Sequence, residues 1–128
     1  MVVDDEVMIL RAVQRVLGRC GYEVEACSRP EEALGRFLAE PYGFDAVITD
    51  YRMPRMNGVE LSERLLGERP DLAILVVSGY PGEVDTDLAK ALGIRGVLAK
   101  PVDTSQLTAF LARIVPPQGG AGVSSAGG

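Results

Sequence analysis

Five short apolar runs, at residues 1–3, 22–26, 44–49, 73–77 and 96–98, alternate along the chain with longer stretches of helical periodicity. Strands separated by helices pair in parallel, because each crossover lays its helix on a face of the sheet. Parallel strands are buried on both faces, which suits the unbroken Ala73-Ile74-Leu75-Val76-Val77. Four of the runs end on polar groups: Asp4-Asp5 after Val2-Val3, Asp50 after Ala46-Val47-Ile48-Thr49, Ser78 after Val77, and Lys100-Pro101 after Gly96-Val97-Leu98-Ala99. Strand ends in a parallel sheet lie side by side along the edge where open α/β folds place their ligand crevice. Three carboxylates, a hydroxyl and an ammonium are therefore expected to converge, with the second run contributing nothing.

The expected fold is a single-domain, doubly wound five-stranded parallel sheet with helices on both faces. A chain of 128 residues, 47% of them hydrophobic, suffices for one core and is too short for two. Val84, Leu88, Ala91 and Leu92 have the spacing of one buried helix face, and so have Leu107, Phe110, Leu111 and Ile114. Ser28 with Glu31, and Asn57 with Glu60, have the spacing of capping boxes, and Gly18, Gly21, Gly43 and Gly93 are expected near helix ends. From Pro116 the chain turns to Gly, Ser, Ala and Pro with little to bury, so residues 116–128 are expected to form a disordered tail or linker beyond a domain at 1–115.

A net charge of -5 and a pI near 4.7, with 13 scattered basic residues, argue against a nucleic-acid or anionic-membrane surface. No apolar run approaches the roughly 20 residues that span a bilayer. Cys20 and Cys27 lack the paired spacing of a zinc site and are expected to be packing residues, and with no secretory leader a reducing cytoplasmic setting is expected. The chain contains no His, which removes serine-type triads, His metal ligands and an internal phosphohistidine.

Clustered carboxylates repel one another, so a site holding Asp4, Asp5 and Asp50 is predisposed to a divalent cation, and Mg2+ in particular seeks carboxylate and water oxygens. The set of acids, hydroxyl and lysine, each in order at the end of a successive strand, resembles the receiver domain of two-component response regulators. The resemblance runs from Met1 to about Val115 and includes Met53-Pro54-Arg55-Met56-Asn57-Gly58 after Asp50. It implies the flavodoxin-like strand order 2-1-3-4-5. It also implies Mg2+- or Mn2+-dependent transfer of a phosphoryl group to Asp50 from a sensor histidine kinase or histidine phosphotransfer protein. Conformational signalling to a downstream protein and slow self-dephosphorylation would follow, so the domain acts on itself and is not expected to be an independent enzyme.

On the same resemblance Asp5, Asp50 and the backbone carbonyl of Arg52 ligate the metal, and Asp4 acts through water. Lys100 and Ser78 contact the phosphoryl oxygens, with the Arg52 guanidinium bordering them. Gly79 keeps the approach to Asp50 open, Arg52 and Tyr80 shape water access, and Pro101 favours a cis bond after Lys100. Val97 stands where the family's switch carries an aromatic ring, so output is expected through backbone shifts over residues 84–92, 97 and 104–115. The first strand, central in the implied order, is short against similar domains, as a truncated start would leave it. With Val97, that shortness supports the alternative of a pseudo-receiver, an interaction module that works without phosphorylation. Val77-Ser78-Gly79-Tyr80 and the Gly-Ser tail look similar to receivers at the C-terminus of hybrid histidine kinases, so the chain is expected to be a stand-alone receiver or a piece of such a protein. A haloacid-dehalogenase-type phosphohydrolase would need a second acid two residues after the nucleophile, where this chain has Arg52, and no glycine-rich nucleotide-binding turn occurs.

Overall fold

A computed structural model describes residues 1–80 and 82–114. The tail expected at 116–128 lies outside them. The elements run β1 (Val2–Val3), α1 (Val7–Arg19), β2 (Ala26–Cys27), α2 (Pro30–Ala39), β3 (Ala46–Asp50), α3 (Gly58–Glu68), β4 (Ala73–Ser78), α4 (Thr86–Leu92), β5 (Gly96–Ala99) and α5 (Thr104–Ile114). All strand pairs are parallel and the sheet order is β2-β1-β3-β4-β5, the doubly wound arrangement expected from the sequence.

The twofold alternation of a strand divides the core into two layers. Val3, Val47, Ile74 and Val76 face Phe37 of α2 and Leu61 and Leu65 of α3. Val2, Ile48, Leu75 and Val77 face Leu10 and Leu17 of α1 and Leu107 and Leu111 of α5. Both sides of β4 are therefore dry, and all six of its residues are buried. At about 25 cal/mol per Å2, burying a Leu, Ile or Val side chain contributes roughly 1.5–3 kcal/mol, so these two layers carry most of the drive to fold.

Four local expectations are corrected. β2 is confined to Ala26–Cys27, not 22–26, because it pairs only with the two residues of β1 and its ladder is no longer than its partner. Ser28 does not cap α2: Pro30 opens the helix and forces its predecessor Arg29 into extended backbone (φ -137°, ψ 140°), which makes Arg29 the N-cap. Asp85 caps α4, its Oδ1 accepting from the amides of Asp87 and Leu88 at 3.1 Å, so Val84 precedes the helix and falls out of phase with Leu88. Val84 is buried all the same, Ala89 takes the inward position in α4, and Leu88 is exposed. Cys27 packs in the core, but Cys20 is exposed at the end of α1.

The Asn57 box forms as expected, with Asn57 Oδ1 accepting from the Glu60 amide and Glu60 Oε1 from the Asn57 amide. Among the described residues, no helix is long and apolar enough to cross a membrane.

Candidate functional site

Four strands stop at one level, and their register builds the site. Val3 is opposite Thr49, so Asp4 emerges next to Asp50. Asp50 is opposite Val77, placing Ser78 one residue further along, and Ser78 is opposite Ala99, so Lys100 follows directly. The Lys100 amide donates to the Ser78 carbonyl at 2.8 Å, and the Tyr51 amide to that of Val77 at 2.8 Å, carrying the ladder past the last paired residues. Gly58 seals the floor: its amide donates to the Tyr51 carbonyl at 2.8 Å, and a Cβ there would stand 2.4 Å from the Asp50 carbonyl oxygen. The Asp-to-Gly spacing around this loop is thus a close-packing requirement as well as a turn.

Asp4, Asp50 and Ser78 are buried, whereas Asp5 is exposed at the mouth of the site. One carboxylate oxygen from each of Asp4, Asp5 and Asp50 lies within 4.8 Å of the other two. Such a set of hard oxygens fits a small divalent cation. Lys100 Nζ reaches over them, 3.1 Å from Asp50 Oδ1, 3.6 Å from Asp4 Oδ2 and 3.4 Å from Glu6 Oε1. Burial, opposed by Lys100 and reinforced by the neighbouring charge of Asp4, pushes the Asp50 pKa up from 3.8 to about 6. Burial also raises that of Asp4, against the amide of Glu6 that bonds its Oδ1 at 2.8 Å. For Lys100, burial works against the charge, but the bond to Asp50 and the field of Asp4 outweigh it and the pKa is raised.

The other side of Asp50 is organised by a residue that sequence reasoning missed. Ser78 Oγ donates to Glu83 Oε2 and lies 3.1 Å from the Tyr80 carbonyl. Arg52 Nε donates to Glu83 Oε1, and its guanidinium lies 4.8 Å over the Tyr80 ring. Ser78 first, and Arg52 after it, hold the Glu83 carboxyl below its usual range. Asp5, Arg52, Met53, Pro54, Asn57 and Glu83 line an open depression beside the acids, and Arg52 is held there by a partner absent from the sequence reading. A Cβ on Gly79 would meet Lys100 Cδ only at 4.0 Å, Tyr80 is 61% exposed, and the Lys100-Pro101 bond is cis. Val97 is half-buried against the core and has no ring to turn.

Residues 1–112 match the response regulator receiver domain. The chain belongs to this family. It is 36% identical over 103 residues to the two-component response regulator ARR2 of Arabidopsis thaliana, covering 80% of this chain and 14% of that protein. A receiver domain from Clostridium thermocellum superposes with a TM-score of 0.84 at 29% identity, over 89% of this chain and 90% of the other. The response regulator TrrA of Thermotoga maritima, solved in complex with Mg2+-BeF, superposes with a TM-score of 0.79 at 26% identity, over 89% of this receiver and 96% of TrrA. The receiver spans only 14% to 23% of the length of several curated relatives that it matches.

Proposed function

We propose that this receiver accepts a phosphoryl group on Asp50, with Asp5, Asp50 and the Arg52 backbone carbonyl holding a Mg2+ or Mn2+ ion and Asp4 reaching it through water. On this reading the receiver occupies residues 1–115 and works in the cytoplasm. The ion, when bound, neutralises the acids and offsets charge on the phosphoryl oxygens. An Asp50 carboxylate oxygen attacks phosphorus in line, the bond from phosphorus to the donor imidazole nitrogen breaks, and that nitrogen keeps the electron pair and is protonated. The product is an acyl phosphate. Lys100 pairs with one phosphoryl oxygen and Ser78 donates to another, and both are worth more in this water-poor edge than at the surface.

The donor is a sensor histidine kinase or a histidine phosphotransfer protein; this sequence has no His to carry the group itself. Output passes to a downstream protein through residues 84–92, 97 and 104–115, with β5 moving as backbone at Val97. Water attack on the acyl phosphate, with access shaped by Arg52 and Tyr80, returns the domain to its starting state.

The observation that carries this reading is Lys100 Nζ at 3.1 Å from Asp50 Oδ1, inside a cluster of three acids on one sheet edge. Intact mass after incubation with Mg2+ and acetyl phosphate tests it. A single phosphoryl adduct that needs Mg2+ and is lost in Asp50→Asn is the expected result. A folded protein that forms no adduct supports a pseudo-receiver instead.

A further inference from the structure

Glu83 stands five residues beyond Ser78 in the loop before α4, and its side chain is only 6% exposed. Its amide donates to the Tyr80 carbonyl at 3.2 Å, and the next residue, Val84, is buried in the core, so the loop holds the carboxylate in place at both ends. One carboxylate oxygen takes Ser78 and the other takes Arg52. A hydroxyl carries a single hydrogen, so the one given to Glu83 is withheld from any acceptor at Asp50.

We propose that Glu83 is a positioning residue, an internal anion that occupies the Ser78 hydroxyl and the Nε–H of Arg52 until a phosphoryl group on Asp50 takes them over. The inference rests on the phosphoacceptor reading and extends it to what the site must give up. Carboxylate and phosphoryl oxygens are both charged acceptors and compete for the same two donors. Hydrogen bonds to charged groups are roughly twice as strong as neutral ones, so the resident carboxylate restrains formation of the phosphorylated state. Release of Glu83 is then an event at the start of α4, next to the segment through which output is proposed to leave.

Glu83→Gln keeps the size and one acceptor oxygen but removes the charge. Beryllofluoride with Mg2+ stands in for the phosphoryl group, and its affinity is read from amide shifts in the unsubstituted protein, Glu83→Gln, Ser78→Ala and the double variant. Glu83→Gln is expected to bind beryllofluoride about fivefold to tenfold tighter and to gain similarly in its rate of adduct formation from acetyl phosphate. Most of that gain is expected to vanish in the Ser78→Ala background. An unchanged affinity, or an equal gain without the Ser78 hydroxyl, overturns the proposal. In the unsubstituted protein the Glu83 side-chain carboxyl 13C signal is expected to move on beryllofluoride binding, and a signal that stays put also overturns it. If the unsubstituted protein binds beryllofluoride while Glu83→Gln changes nothing, only the role of Glu83 falls. If no protein binds it or forms an adduct, the phosphoacceptor reading falls and the role of Glu83 with it.

Discussion

The two sides of Asp50 are built differently. Along the sheet edge, the ends of β1 and β5, on opposite flanks of β3, deliver Asp4 and Lys100 in register, and Lys100 already touches Asp50 as a phosphorylated site would need it nearby. Toward α4, a loop delivers Glu83, and the Ser78 hydroxyl and the Nε–H of Arg52 are given to it. Strand register costs little to hold because the ladder and both core layers fix it, whereas a loop anchored at a few points can exchange partners. The difference teaches where chemistry is fixed and where a response can start.

Removing the ammonium should have the largest effect on that comparison. Lys100→Met leaves Asp50 and Asp4 without their cation, and adduct formation is expected to fall by about a hundredfold or more, as when a preorganised donor is lost from a transition-state site. Ser78→Ala, on the exchangeable side, should cost about tenfold, consistent with one hydrogen bond to a charged group. Rates of acetyl phosphate labelling check both. Equal losses would erase the distinction between the two sides.

Rigidity of the floor is sharpened by two glycines of α3. Gly58→Ala would drive a Cβ to 2.4 Å from the Asp50 carbonyl and 3.1 Å from Tyr51 Cα, both backbone atoms. A loss of about 3 kcal/mol in urea unfolding is expected. Gly67, with nothing within 4 Å of its Cβ position, should tolerate Ala with a gain of roughly 0.5–1 kcal/mol from helix propensity. A harmless Gly58→Ala would show that the loop after Asp50 yields, contrary to a fixed floor.

The last expected effect is electrostatic. Asp50 titrates at about 6 in the fold against an ordinary 3.8, so the folded protein holds that proton more tightly than the unfolded chain. The resulting stabilisation is complete below the unfolded pKa and lost as pH rises through about 6. Without metal, this residue should make the protein more stable at pH 5 than at pH 7 by on the order of 1 kcal/mol. Urea unfolding of Asp50→Asn should lack that component, and identical pH slopes in the two proteins would contradict the burial of an acid at this point.

Most of the rigid side was legible in the sequence. Apolar runs that end in Asp, Ser and Lys carry their own register, because period-two burial and parallel pairing leave little choice of level. The order β2-β1-β3-β4-β5 came from family resemblance, since alternation alone does not rank the strands. Local chemistry was legible where one competing rule was absent: Asn57 and Glu60 formed their box, while Ser28 lost to Pro30 acting on Arg29. Glu83 was not legible, because a loop has no periodicity to say where a side chain returns. A lone Glu five residues past Ser78 reads as a solvated charge until its fold brings it to 6% exposure. Glu6, a partner of Lys100 across 94 residues of chain, was hidden for the same reason.

The most direct test of Asp50 as the phosphoryl carrier is to reduce the acetyl phosphate-treated protein with borohydride and map its peptides by mass. An acyl phosphate is reduced to an alcohol, so homoserine is expected at position 50 and nowhere else, and only when Mg2+ was present during labelling. Homoserine at position 4 or 5, or a phosphoryl adduct that survives reduction unchanged, would contradict it.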